Sequence, residues 1–169
     1  MAKHEYRYRL DRCWREGSAL AVIALNPSTA DECHDDATTR RITTIAHGLG
    51  HGRFVLVNLY ALRATDPRRL RQVCDPVGVG NDDVISQAVE ESDQVLVAWG
   101  AAGCNTLGFA ERVERVHDLL GQTPLWAKGV TRHGHPRHPL YNAEPVTRYR
   151  RRDSTKLDKR PSVMSIHAD

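Results

Sequence analysis

Residues 19–25 read ALAVIAL, and the turn that follows reads Asn26-Pro27-Ser28-Thr29-Ala30-Asp31. An apolar run of this length, β-branched in part and without helical period, has the character of a strand covered on both faces. Residues 54–59 (FVLVNL) and 95–99 (VLVAW) repeat it, and residues 125–128 are a weaker fourth.

Helical patterns fill the intervals. Residues 38–49 place Ile42, Ile45, Ala46 and Leu49 on one face, with Asp35 or Asp36 as N-cap and Gly50 past the end. Residues 81–91 open on Asn81, Asp82 and Asp83, favoured by the helix dipole, and bury Val84, Ile85, Ala88 and Val89. Residues 109–120 show an apolar stripe of Phe109, Val113, Val116 and Leu120, with Glu111, Arg112, Glu114 and Arg115 expected to face water. Strands alternating with helices predict an α/β domain over residues 1–147, with a central four-stranded, mostly parallel sheet. The alternating YRYRL of residues 6–10 reads as an added N-terminal edge strand.

A chain of 169 residues suits one core, and 40% apolar with 27% charged residues is an ordinary globular balance. No apolar run approaches the ~20 residues of a membrane helix, and the first ten residues lack the apolar stretch of a secretory signal. A cytoplasmic protein without a membrane partner is expected.

Seven of the 24 Lys and Arg residues, against three of the 21 acids, lie in residues 148–169, so the body is close to neutral. That segment reads as a basic, flexible tail in which Arg148, Arg150, Arg151 and Arg152 are candidate phosphate contacts, joined by Arg137 in the body. Cys13, Cys33, Cys74 and Cys104 are widely spaced with no C-x-x-C pair, which predicts reduced thiols rather than a metal cluster. No cofactor motif and no metal site are read.

Ligands of open α/β sheets bind beyond the carboxyl ends of the strands. Here those ends supply Asn26, Pro27 and Ser28; the His34-Asp35-Asp36 loop; Asn58 and Tyr60; Trp99 and Gly100; and a final loop with His133, His135, Arg137, His138, Leu140 and Tyr141. Varied polar and aromatic groups converging on one edge suit a small-molecule or nucleobase pocket. Each has a plainer use: Ser28 as a cap, Asp36 as an N-cap instead of a general base, Asn58 as a partner for buried backbone. The H-x-H-x-x-H spacing lacks the carboxylate or helical frame of a zinc site, so imidazoles donating to an anionic intermediate fit better.

The ordered motifs LNPSTAD, DDATTRR, VNLYALRATDP, DPVGVGND, AWGAAG and GHPRHPLY resemble the uncharacterised bacterial and phage family of domain of unknown function 1643, over residues 6–141. More distantly, their order is similar to the uracil-DNA glycosylase superfamily, and that resemblance implies a four-stranded parallel sheet between helices. It implies that Asn26-Pro27 holds the water, that Asn58 reads a pyrimidine's Watson–Crick edge, and that His135 or His138 stabilises the departing base. Leu140 would fall near the leucine that wedges into the DNA stack. The aromatic that stacks on the base has no clear match; Tyr60, Tyr141 or Trp99 are the substitutes, and Asp36 or Asp31 would supply the missing carboxylate. The expectation is an N-glycosyl hydrolase acting on a modified or deaminated base in nucleic acid, DNA above all. The alternatives are a non-catalytic nucleobase or nucleic-acid binding module and a hydrolase of free nucleosides or nucleotides.

Overall fold

The computed structural model describes residues 5–28, 30, 34–141 and 143–151, and for Tyr141 the backbone alone. Six strands form one sheet: β1 (Leu10–Cys13), β2 (Ala19–Ala24), β3 (Arg53–Asn58), β4 (Gln94–Val97), β5 (Leu125–Ala127) and β6 (Thr147–Arg148). Three helices join them: α1 (Ala37–Gly48), α2 (Asn81–Glu90) and α3 (Phe109–Leu120). The spatial order is β1-β3-β2-β4-β5-β6. The four central strands are parallel, and β1 and β6 are antiparallel edges.

Strand alternation divides the core. Leu20, Val22 and Ala24 of β2, with Phe54 and Leu56 of β3, face Ile42, Ile45 and Ala46 of α1. Ala21, Ile23, Val55 and Val57 point the other way, onto Ile85 and Ala88 of α2 and Phe109, Val116 and Leu120 of α3. The result is a three-layer α/β/α arrangement. From β2 the chain crosses through α1 to β3 on one side, and β4 flanks β2 on the other, with α1 and α2 on opposite faces. That reversal opens a crevice beyond the carboxyl ends of β2 and β4.

The sheet departs from the expected four strands and one edge. The N-terminal strand is Leu10–Cys13, paired with Arg53–Leu56, rather than residues 6–10. Tyr6 and Arg7 instead meet Leu62 and Ala61, beyond the end of β3. The second edge, β6, crosses the expected boundary at 147/148: Arg148 pairs with Trp126, and Tyr149 is buried. A two-residue strand carries no periodicity to be read. Arg112, expected in water, is 7% exposed, because its Nε donates to the Leu59 carbonyl at 2.6 Å and its Nη1 meets Asp82 at 2.5 Å.

Cys13, Cys74 and Cys104 are exposed free thiols; Cys33 lies outside the described residues. No group of three metal-ligating side chains forms among the described residues, and no helix there is long and apolar enough to cross a membrane.

Candidate functional site

Beyond the carboxyl ends of β2, β3 and β4, on the α1 face, lies a cavity of about 610 Å³. Its position follows from strand parity: Ala24 and Asn26, Leu56 and Asn58, and Gly100 continue the rows that face α1. Helix α1 begins only at Ala37, so Asp36, Ala37, Thr38 and Thr39 form the opposite wall.

Asn58 ends β3 and is 1% exposed. Neither its Oδ1 nor its Nδ2 has a hydrogen-bond partner among the described residues. Leaving a buried amide unpaired costs on the order of 1–3 kcal/mol per polar group. Asn26 is the opposite case. Its Nδ2 donates to the carbonyls of Pro27 (3.0 Å) and Ala64 (2.7 Å), which leaves Oδ1 as the atom it can offer. Ala64 N returns a bond to the Pro27 carbonyl at 2.9 Å, so the loops after β2 and β3 are stitched together.

Asp36 caps α1: its Oδ1 accepts from Thr39 N (2.8 Å) and Thr39 Oγ1 (2.9 Å). Of the two caps the sequence allowed, Asp36 is the one used, and Asp35 pairs with Arg12 instead.

The final loop settles on β4 through glycine. Gly100 has φ +68°, and a Cβ there would lie 3.3 Å from His138 Cβ. Gly100 N donates to the Pro136 carbonyl at 2.9 Å, which draws His138 onto the cavity wall. His138 Nδ1 accepts from Leu140 N at 3.3 Å, so the neutral ring carries its proton on Nε2. Burial lowers the His138 pKa, opposed by the Asp36 carboxylate, which favours the neutral ring at pH 7.

The structure thus brings Asn26, Ser28, Asp36, Asn58, Trp99, Gly100, His138 and Leu140 to one cavity. Others fall elsewhere. His135 does not line it; its ring packs edge-on against Phe109 at 5.4 Å, and burial followed by the neighbouring His133 lowers its pKa. Tyr60 points into the opposite core, where burial pushes its pKa up to about 12. Trp99 touches the cavity, but its ring stands edge-on to His117 (5.6 Å) and Tyr149 (6.3 Å). Pro27 is buried behind the wall as a hydrogen-bond acceptor. Asp31, Thr29 and Arg152 lie outside the described residues, as does the Tyr141 side chain.

The arginines expected to hold phosphate are scattered. Arg137 is exposed on the loop of His138, donating to the Val130 carbonyl. Because β6 runs antiparallel to β5, the chain after Arg148 heads for the amino ends of the parallel strands, away from the cavity. There Arg148 lies over Trp126, Arg151 pairs with Glu114, and with Arg150 they line a separate cavity of about 380 Å³.

Several contributors carry no functional signal in the sequence, Thr65 and Pro67 on the cavity wall among them. Arg7 lines the cavity and donates to the Ala30 carbonyl. Asn81 and Arg112 sit behind it, bonded to the carbonyls that end β3. The YRYRL alternation was the one available signal, for Arg7.

No curated protein matches the chain, and no solved structure matches it. The model of one family, described as a protein of unknown function (DUF1643), matches residues 7–140, and the chain belongs to that family.

Proposed function

We propose that the cavity receives a nucleobase, and that the protein is a uracil-DNA-glycosylase-like hydrolase of the N-glycosidic bond to a modified or deaminated base in nucleic acid. The observation that carries the reading is the Asn58 amide, buried on the cavity wall with its donor and its acceptor both unpartnered among the described residues. A ring edge with adjacent donor and acceptor is the complement of such a group. The parallel four-stranded core between helices supports the same fold relationship. The volume is within the range of small-molecule sites, roughly 300–1,000 Å³.

In this mechanism the bond from the sugar carbon to the ring nitrogen breaks, and its electron pair leaves with the base. The Nε2–H of His138 hydrogen-bonds the anionic base, a contribution of a few kcal/mol in a water-poor site. Asn26 Oδ1 accepts from the water and orients it toward the oxocarbenium-like sugar carbon. The water's oxygen bonds to that carbon, and its released proton ends on the base.

A second reading, a nucleobase-binding module without hydrolysis, draws on a different observation. Asn26 is uncharged, and one oxygen of Asp36 is committed to capping α1.

Single- and double-stranded oligonucleotides bearing uracil, hypoxanthine or hypermodified pyrimidines test the proposal. Abasic sites are expected from at least one of them, and none with Asn58→Ala. Base binding without any abasic product selects the second reading, and absence of both overturns the nucleobase pocket.

A further inference from the structure

We infer that Asn58 reads the edge of its ring in either polarity, so that the pocket accepts 3-NH/4-keto and 3-N/4-amino pyrimidines alike. The inference rests on the nucleobase reading and narrows its ligand class.

A carboxamide presents an acceptor at one end and a donor at the other, in nearly the same shape. A neighbour that bonds either end fixes which way round it sits. Asn26 is fixed in this way, because both its N–H groups are spent on the Pro27 and Ala64 carbonyls. Asn58 is not. Its main chain is held, with the carbonyl accepting from Asn81 Nδ2 at 3.1 Å, while its side-chain Oδ1 and Nδ2 bond to nothing among the described residues. Its backbone is anchored and its amide is unlatched. A half-turn about the Cβ–Cγ bond exchanges donor and acceptor without breaking any protein hydrogen bond, so the ligand decides the orientation.

The other oriented donor on the wall does not discriminate between the two ring classes. The neutral His138 ring carries its proton on Nε2 because Leu140 N occupies Nδ1. A 2-keto oxygen, common to both ring classes, is its natural acceptor. Selectivity then falls on rings that present no donor beside the acceptor, since these leave a buried amide group unpaired.

Titrating the full chain with 1-methyluracil and 1-methylcytosine, followed by NMR, tests this directly, with 1,3-dimethyluracil as the ring that lacks the N3 donor. The two monomethyl bases are expected to bind within about tenfold of each other, a difference of no more than about 1.4 kcal/mol. The dimethyl ring should bind at least about tenfold more weakly, and Asn58→Ala should weaken both monomethyl bases by a similar factor. A larger preference for one monomethyl base, or equal binding of the dimethyl ring, overturns the two-way reading and leaves the nucleobase pocket standing. If neither monomethyl base binds, or Asn58→Ala leaves both unaffected, both readings fall together.

Discussion

Asn81 grips Asn58 by the main chain: its Nδ2 donates to the carbonyl of Asn58 at 3.1 Å and to that of Leu59 at 3.2 Å. The sheet ladder ends at Asn58, so these carbonyls need partners from outside it. Asn81 opens α2, and Arg112 on α3 adds a second bond to Leu59. Two helices of one layer thereby fix the strand end whose side chain faces the other.

Asn81→Leu therefore removes a buried donor from two carbonyls. A loss of about 1–3 kcal/mol is expected in chemical denaturation, with weakened base binding as the strand end loosens. An unchanged denaturation midpoint would show that these bonds hold nothing.

Asp82 supports the same end through Arg112 and Arg115. Burial opposes its ionisation, but the hydrogen bonds and charges of the two guanidiniums outweigh that and hold its pKa below the usual carboxylate value. A depressed folded pKa gives stability that is present above about pH 4 and lost as pH falls through the folded value. Asp82→Asn should lower stability by about 1–3 kcal/mol at pH 7. Its difference from the wild type should shrink on acidification below pH 4, as followed by urea unfolding across pH.

The helices and central strands were legible because apolar period and strand-end turns are local signals. Residues 109–120 are helical over the expected span, and β2 to β5 fall within two residues of their expected ends. What stayed hidden was set by tertiary partners. Arg112 has the sequence environment of a solvated helix face, and the Leu59 carbonyl and the Asp82 carboxylate draw it inward. The choice between His135 and His138 likewise depended on the loop's seating against Gly100, which has no sequence signature. Strand-end motifs did place Asn26, Asn58 and Gly100 on one edge, since strand parity and parallel topology determine that together.

His138 is lowered by burial, with Asp36 opposing. Stability from its neutral form is present above the unfolded value of about 6.5 and lost as pH falls through the folded pKa. Base binding should be flat from pH 8 to about 6.5 and decline below it, as protonation of Nδ1 breaks the bond from Leu140 N. An NMR titration of the ring giving a pKa at or above 6.5 would count against this. His138→Ala should cut any glycosidic cleavage by roughly 10²–10³-fold, the scale for loss of one oriented donor.

Tyr149 belongs to the core and not to a tail. Its ring stacks on His117 at 6.0 Å, its hydroxyl donates to Gly134 O at 3.2 Å, and its N donates to Leu125 O at 2.8 Å. Tyr149→Ala should cost about 3–5 kcal/mol, as for other buried aromatics. Arg150→Gln on the exposed neighbour should stay within about 0.5 kcal/mol. Thermal unfolding of the pair checks the contrast. Removing residue 148 onward therefore disrupts the fold as well as the charge, so nucleic-acid affinity is better tested with Arg148, Arg150 and Arg151 changed to Gln.

The unpaired amide of Asn58 sets stability against function. Replacing it with an apolar side chain of similar volume removes a buried donor and a buried acceptor that nothing among the described residues satisfies. Asn58→Leu should therefore raise stability, by about 1–2 kcal/mol once imperfect packing against Leu56 and Ala24 offsets part of the gain. The same change should abolish base binding, because the ring edge then meets hydrocarbon. Most core substitutions lose stability and function together, so the two moving in opposite directions is the signature of a residue kept for its ligand. Paired measurements of the unfolding midpoint and of 1-methyluracil binding decide the matter. A fall in both would mean that Asn58 is a structural amide whose partners form within the protein in solution.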